Sequence, residues 1–330
     1  MRPLLMDGRI LCRRNKTGSF STQANRQTNL DALLRPLAER HPKLRAANLQ
    51  ASHVAEMVRS IRDGVSPRTG KPLSVGRQKN LLATLRWLLE RLGKSNLLPH
   101  DNASLGIERR DYLPTRSRAV VVSDALIEEI EKHDHRVATS LRLAREFGLR
   151  FEEALKLRPT LADAGNELVL QGSWTKGNVP RRVPILNASQ RDALDRAHAV
   201  AGEGSLIPPG ITYVKHRDYA RRLLAKFGVN RIHGARHEYA QRRYAELAGM
   251  SAPLAGGPTR DAMTEDEGAR DKAARLTLSR ELGHNRTAVT NAYLGGARRP
   301  SAPSASDNAL ASDVGACIPP TQIVHPAKGN

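Results

Sequence analysis

The segment His233-Gly-Ala-Arg236-His237 decides how this sequence is interpreted. Three residues along a helix correspond to about 300° of rotation, so the imidazole of His233 and the guanidinium of Arg236 would share one face and could hold one anion. Such a pair alone is weak evidence, because chance supplies matches in a chain rich in arginine, and His133-Asp-His-Arg136 is a second one. The pair gains meaning only from the motifs around it.

Further short motifs surround this segment in a fixed order. Before it lie Phe147-Gly-Leu-Arg150-Phe-Glu-Glu153, then Thr175-Lys176-Gly177 and Arg182-Val-Pro-Ile185; after it come Leu282-Gly-His284 and, nine residues on, Tyr293. In order and in neighbouring residues, these motifs resemble the catalytic domain of the tyrosine recombinases, the phage-type integrase family of DNA strand-exchange enzymes. The resemblance covers about residues 119–296. Within that range it does not assign the second His-x-x-Arg match a role, because His133 comes before Arg150, the first arginine of the family's motif order.

The resemblance implies a mainly α fold with a small β-hairpin or sheet, in which a helical N-terminal core-binding domain precedes a tyrosine-recombinase catalytic domain of the DNA breaking-rejoining enzyme fold. The expected divisions are a basic N-terminal arm at 1–27, a helical core-binding and DNA-binding domain at 28–112, a linker at 113–122, a catalytic domain at 123–296 and a disordered tail at 297–330. The tail is assigned from its Ser, Ala and Pro content. The core-binding domain is assigned by analogy of size, charge and position.

Hydrophobic periodicity predicts the helices. A leucine stripe at 81, 85, 88 and 92 indicates a helix that begins near Ser74, and weaker segments cover 30–40 and 52–62. Ser123 is a candidate N-cap for a helix to about Lys132, and further helices are predicted at 136–147, 150–157, 189–200, 212–227, 233–248 and 270–282. Short β-type runs at 167–170 and 182–186 predict a hairpin with Lys176 near its turn. The stretch 249–268 is interpreted as an inserted surface loop, or as a contact for a partner.

The resemblance assigns reacting roles to part of the set. Arg150 and Arg236 would clamp the scissile phosphate, since a phosphodiester in transfer gathers negative charge that permanently charged guanidinium forks can meet. Tyr293 would be the nucleophile that forms a 3′-phosphotyrosyl link to DNA and frees a 5′-hydroxyl. A phenol with an ordinary pKa near ~10 must lose its proton during the attack, and His233 is the candidate base.

Four more residues complete the set by the same resemblance. Lys176 would donate a proton to the departing 5′-oxygen, and His284 would donate a hydrogen bond to a phosphate oxygen. Glu153 would steady the site, and His237 would support it without reacting. Taken singly, Lys176 is an ordinary solvated turn lysine and His284 a histidine at a helix end, so their assignment depends on the whole set.

Neither a cofactor nor a metal is predicted. A zinc site formed by His233 and His237 with Glu238 is unfavourable, because the glutamate follows the pair, whereas His-Glu-x-x-His places it between the histidines. Cys12 and Cys317 are the only cysteines, too few for a disulfide framework or a cysteine-based zinc site.

The charge of the chain favours polyanionic partners. Its 330 residues carry a formal net charge of +20, of which residues 1–118 contribute +14. Nucleic acid and an anionic membrane surface are the leading candidates on charge alone. The apolar runs fall far short of the roughly 20 residues of a membrane span, and no apolar region of signal-peptide length follows the N-terminus. A cytoplasmic protein is therefore predicted, and the resemblance to integrases implies a bacterial, nucleoid-associated one.

Together these features predict a site-specific DNA recombinase, or integrase, that cleaves and rejoins double-stranded DNA without metal or ATP. By the resemblance, a homo-tetramer would act on two DNA duplexes, with DNA-bending accessory proteins as candidate partners. Integration or excision of a mobile genetic element is the expected setting. Two rivals remain open: a catalytically silent DNA-binding protein of the same fold, and a type IB topoisomerase, which uses the same nucleophile to relax supercoils.

Overall fold

The computed structural model of this protein describes residues 2–110 and 113–296, and the tail predicted at 297–330 lies outside these residues. The chain divides into two compact units, Met1–Asp111 and Tyr112–Asn330. Helices surround separate apolar cores in each unit, and one two-stranded sheet lies in the second. This arrangement confirms the predicted mainly α fold with a small hairpin.

The described part of the first unit contains four α-helices: α1 (Pro3–Arg14), α2 (Phe20–Arg40), α3 (Ala51–Arg62) and α4 (Val75–Arg91). The predicted stripe of α4 is buried at Leu81, Leu85 and Leu88. The helix begins after Ser74, whose hydroxyl accepts a hydrogen bond from the backbone N–H of Arg77. This bond satisfies one of the donors that a helix start leaves without an intrahelical partner.

The first residues of the chain differ from the basic arm expected at 1–27. They form α1 and the start of α2, and Leu4 and Leu5 are buried in the same core as the leucines of α2. The two helices approach closely at Gly8, where a Cβ would lie only 2.8 Å from the Leu34 side chain. A basic composition does not prevent packing when a few apolar residues recur with helical spacing.

The second unit carries the remaining elements. In chain order they are α5 (Asp124–Glu131), α6 (His135–Glu146), α7 (Phe151–Lys156), α8 (Pro159–Ala162), β1 (Glu167–Leu170), β2 (Arg181–Pro184), α9 (Ala188–Ala201), α10 (Tyr213–Lys226), α11 (His233–Ala248), α12 (Glu265–Glu281) and α13 (Asn291–Leu294). Ser123 caps α5, as predicted. Across residues 2–110 and 113–296, no helix is both long and apolar enough to cross a membrane.

Strands β1 and β2 form the predicted antiparallel hairpin, with Leu168 opposite Val183 and Leu170 opposite Arg181. Strand β2 begins one residue earlier than predicted, at Arg181, and ends at Pro184. Arg181 and Val183 face inward. An inward arginine escapes a search for apolar alternation, because its burial depends on a carboxylate from another element.

The stretch 249–268 is more than the surface loop predicted from its composition. Gly249 ends α11 in the left-handed conformation, and Ala252 and Pro253 are then buried against the core of the unit. Helix α12 begins at Glu265, earlier than the predicted 270, because Thr264 and Glu267 form a capping box. The polar first turn of α12 has no apolar periodicity, so only the cap marks its start.

Candidate active site

The guanidinium group of Arg236 lies at the centre of a buried cluster, at the start of α11. Its two Nη atoms donate to the carbonyl oxygens of Gly148 and Leu282, both at 2.5 Å. Its Nε donates to the hydroxyl oxygen of Tyr293 at 3.2 Å. Burial, with Arg150 and other cations nearby, lowers the pKa of Arg236 to about 10, so the group still carries its charge at neutral pH.

Gly148 is required where α6 meets α7. Its φ is +60°, a conformation that favours glycine, and a Cβ at this position would lie 2.3 Å from a ring carbon of Tyr239. Without a side chain the backbone can approach Tyr239 and turn its carbonyl oxygen toward Arg236. Gly148, two residues before Arg150, therefore has a structural role: its carbonyl oxygen holds Arg236.

Tyr293 is carried by the short helix α13 and is almost completely buried. Besides Arg236, its hydroxyl oxygen meets Nε2 of His284 at 3.3 Å. The centre of its ring lies 4.7 Å from that of His237 and 6.1 Å from that of His233. The phenol is thus placed between a fixed cation and three imidazoles.

Glu153 on α7 gathers the arginines of the site. Two nitrogen atoms of Arg181 donate to its carboxylate at 3.0 and 2.6 Å, and Nη1 of Arg150 donates at 2.7 Å. The backbone N–H of Arg150 donates to the same carboxylate at 2.7 Å, which satisfies one of the donors at the start of α7. Burial alone would raise the pKa of this carboxyl, but the surrounding guanidinium groups, Arg181 first, hold the pKa at about 2.

The three histidines around Tyr293 have lowered pKa values. Partial burial of the ring, followed by the charges of Arg236 and Arg150, lowers the pKa of His233 and of His284 to about 4. Burial, followed by the neighbouring His233, lowers the pKa of His237 to about 4. All three imidazoles are therefore neutral at neutral pH, and each keeps a ring nitrogen that can accept a proton.

A basic cavity of about 860 Å³ opens beside the cluster. Arg150 and His233 line it together with further arginines at 116, 118, 221 and 231. The side chain of Arg150 is 21% exposed, so this arginine contacts Glu153 and also faces the cavity. An anionic ligand in the cavity would reach the cluster through Arg150 and His233.

The structure brings most of the predicted residues together: Arg150, Glu153, His233, Arg236, His237, His284 and Tyr293. Lys176 is the exception, because it is exposed in the turn of the hairpin. The described part of the chain holds no group of three or more His, Cys, Asp or Glu side chains arranged to bind a metal ion.

A family comparison covers the first half of this cluster. Residues 116–242 match the family model described as Integrase. This match supports the resemblance of the second unit to the tyrosine recombinase, or phage-type integrase, family. The matched segment includes Arg150, Lys176, His233 and Arg236, and it ends before His284 and Tyr293. No curated protein sequence matches the chain.

Solved structures extend the likeness in fold over most of the chain. A lambda integrase dimer bound to a COC' core site is 15% identical, with 87% of this chain and 74% of that chain covered and a TM-score of 0.55. XerH site-specific recombinase bound to palindromic difH substrate is 15% identical, with coverage of 94% and 84% and a TM-score of 0.51. A lambda integrase tetramer bound to a Holliday junction is 14% identical, with coverage of 86% and 76% and a TM-score of 0.52. The shared feature is the tyrosine recombinase fold.

Two residues of the cluster are absent from the predicted set. Arg181 joins Glu153 to the backbone carbonyl of Glu281, and Gln241 donates from Nε2 to the carbonyl oxygen of Tyr293 at 2.9 Å. Two sequence signals were available. Arg181 shares a strand face with the apolar Val183, and Gln241 lies four residues after His237, on the same face of α11.

The lowered histidine pKa values predict that the free energy of unfolding falls as pH decreases from about 6.5 to about 5. In this range unfolded histidines, with an ordinary pKa near ~6.5, take up protons that the folded histidines do not bind. His237 and His284 should each account for a loss on the order of 1 kcal/mol, because solvent screens part of each shift. Glu153 remains ionised throughout and adds nothing to this slope.

Urea unfolding at a series of pH values measures this dependence. The slope should flatten in His284→Gln, whose side chain does not titrate. An unfolding midpoint that stays constant between about pH 6.5 and about pH 5 in the original chain would contradict the prediction.

Proposed function

We propose that this protein is a site-specific DNA recombinase in which Tyr293 cleaves and rejoins duplex DNA. The observation that carries the proposal is the contact of the Tyr293 hydroxyl with both Arg236 and His284 in an integrase-family unit. A buried phenol with a fixed cation on one side and a neutral imidazole on the other is suited to attack a phosphate. The cation meets the charge of the phosphate, and the imidazole can accept or relay the proton.

The reaction exchanges one phosphoester for another. The Tyr293 oxygen bonds to phosphorus as the bond to the 5′-oxygen breaks, which leaves a 3′-phosphotyrosyl link and a free 5′-hydroxyl. The phenol proton passes to a neutral histidine: His233 is the base implied by the family resemblance, whereas His284 is the imidazole in hydrogen-bond contact with the phenol. Reversal by a 5′-hydroxyl rejoins the strand, so no ATP is consumed.

Arg236 and Arg150 have different tasks in this proposal. Arg236 is held by two backbone carbonyls and cannot swing away, so it provides charge at a fixed point. Arg150 lines the cavity and would bind the same phosphate from the open side. Lys176 would donate the proton to the leaving 5′-oxygen, which requires bound DNA to lie against the turn of the hairpin.

Duplex DNA is the proposed ligand of the basic cavity. The chain carries a net charge of +20, and five arginines line the opening beside the cluster. Lambda integrase binds a core site as a dimer and a Holliday junction as a tetramer, and XerH binds its difH substrate. By this likeness we infer that four copies of the chain act on two duplexes. Integration or excision of a mobile element in a bacterial cell, aided by DNA-bending proteins, is the proposed setting.

Covalent trapping tests the proposal without knowledge of the target site. The probe is a pool of 5′-labelled duplexes with a randomised centre and a nick that lets the cleaved end diffuse away. The original chain should form a denaturation-resistant adduct with DNA, and sequencing of the trapped strands should return a common site. Tyr293→Phe should form none, whereas Tyr219→Phe, which changes an exposed tyrosine, should match the original chain.

The same experiment separates the rival functions. Selective binding of one duplex sequence with no adduct favours the catalytically silent DNA-binding protein. Adducts with no common sequence, together with relaxation of arbitrary supercoiled plasmids, favour the type IB topoisomerase. Either result would overturn the recombinase proposal.

A further inference from the structure

A second buried polar network joins α11, α12 and the start of α13. Arg275 on α12 is buried, and its Nε donates to Oδ1 of Asp271 at 2.7 Å. The hydroxyl of Tyr244 on α11 donates to the same oxygen at 2.7 Å. Asp271 also lies on α12 and is buried, so the ion pair is out of contact with solvent, and the Tyr244 hydrogen bond joins it to α11.

The network reaches the segment that carries Tyr293. Nη1 of Arg275 donates to Oδ1 of Asn291 at 3.0 Å and approaches Oγ1 of Thr290 at 3.4 Å. Asn291 is the first residue of α13, and Tyr293 follows two residues later. A displacement of the Arg275 guanidinium group would therefore change the position of the first residue of α13, the helix that carries Tyr293.

The segment 249–268 contacts the other end of α13. Gly295 follows the helix with a φ of +86°, and a Cβ there would lie 3.0 Å from Leu254 and 3.3 Å from Pro253. From the same segment, Nε of Arg260 lies 3.5 Å from Oδ2 of Asp271. Arg260 is half exposed, so this pair adds little to stability, but it joins the inserted segment to the network.

Helix α13 needs such external contacts. It has only four residues, and a helix of this length cannot hold its own position, because nucleation costs more than its few internal hydrogen bonds return. A buried ion pair, in turn, is a poor source of stability, since apolar residues of similar volume often serve as well. Its directional hydrogen bonds, however, fix the orientation of whatever they contact.

We propose that Arg275 is a positioning residue that holds Tyr293 against Arg236 by way of Asn291 and Thr290. The inference rests on the proposed function, because it concerns the placement of the proposed nucleophile. Asp271 and Tyr244 orient the guanidinium group, and the guanidinium group orients the first turn of α13. The segment 249–268 supports the same helix from its far end. This gives the inserted segment a role inside the catalytic unit.

The test removes the contact and leaves the ion pair intact. Asn291→Ala deletes the acceptor at half-buried Asn291 while Arg275, Asp271 and Tyr244 remain. Asn291→Asp restores an acceptor oxygen for Arg275. Arg270→Met, which removes an exposed arginine from α12, the helix that carries Arg275, is the control. Single-turnover adduct formation is measured at saturating concentrations of the trapped duplex, with DNA Kd and Tm measured on the same samples.

The proposal predicts a loss confined to the chemical step. Asn291→Ala should lower the adduct rate by about 30- to 100-fold, the cost of a small misplacement of a reacting group, with DNA Kd and Tm close to those of the original chain. Asn291→Asp should recover most of the rate, and Arg270→Met should keep all of it. In protein labelled with ¹³Cζ-tyrosine and free of DNA, the Tyr293 resonance should move in Asn291→Ala and stay in place in Arg270→Met.

Each contrary result has a definite meaning. If the original chain forms no adduct, the proposed function and this inference fail together. If it does, and Asn291→Ala reacts at the original rate, only the positioning role is overturned. A rate loss in Asn291→Ala with a matching loss of Tm, or a failure of Asn291→Asp to recover the rate, would also overturn it.

Discussion

Arg236→Gln should lower the rate of adduct formation at saturating DNA by about 10³-fold, the size of loss seen when a fixed charge is removed from the centre of a transition state. Glutamine has no charge, and it cannot reach the two carbonyls and the Tyr293 hydroxyl that Arg236 contacts together. Arg236→Lys keeps the charge as a single point and should lose about 100-fold, because the planar fork is gone.

Both variants leave the buried carbonyls of Gly148 and Leu282 without a full set of donors, which lowers stability. The effect on folding must therefore be measured separately from the effect on the reaction rate. Circular dichroism and Tm identify the folded fraction, and the rate is then expressed per folded molecule. Arg242→Gln changes a half-exposed arginine of the same helix and should react at nearly the original rate. A folded Arg236→Gln that retains more than about a tenth of the rate would contradict the proposed role.

Glu153→Gln should have the largest effect on stability, with a loss of roughly 3–5 kcal/mol in the free energy of unfolding. The carboxylate is buried and receives two hydrogen bonds from buried Arg181 and one from the Arg150 side chain. An uncharged amide leaves Arg181 as an uncompensated buried charge. The double change Glu153→Gln with Arg181→Met should recover most of the loss, because it removes both charges.

Urea denaturation provides the measurement. Glu167→Gln, on the hairpin that carries Arg181, is the control, since Glu167 pairs with Arg182 near the surface and should contribute less than about 1 kcal/mol. A loss for Glu153→Gln as small as that of the control would mean that the arginines of the site do not depend on this carboxylate.

Local signals in the sequence predicted much of the fold. Ser74 and Ser123 mark two helix starts because a hydroxyl acceptor is needed there, and the stripe of α4 marks its buried face. The hairpin follows from two short β-type runs on either side of Lys176. The start of α12 was missed, since its first turn is polar and only the Thr264 and Glu267 cap identifies it.

The residues of the candidate site likewise fall into those that the sequence predicted and those that it did not. The order of motifs grouped Arg236, His284 and Tyr293, which the structure brings into contact. Arg181 and Arg275 could not be found by motif order, because each is a buried arginine whose partner comes from a distant or polar stretch. Local periodicity treats such residues as surface. For Arg181 only the tertiary structure supplies the carboxylate, that of Glu153, whereas Asp271 lies one helical turn before Arg275 and tertiary packing buries that pair.

The catalytic roles of the predicted residues stay predictions. The role of Lys176 depends most strongly on where bound DNA lies. Its exposed place in the hairpin turn is compatible with a proton donor only if the duplex contacts that turn. The roles of Arg150 and His233 depend in the same way on a phosphate in the cavity that both line.

Mass spectrometry of the trapped adduct tests the central claim most directly. After nuclease and trypsin digestion, the account predicts a nucleotide on the peptide that begins at Thr287, attached at Tyr293 through a 3′-phosphate, with a free 5′-hydroxyl on the released strand. A nucleotide on any other residue, or a link through a 5′-phosphate, would contradict the account.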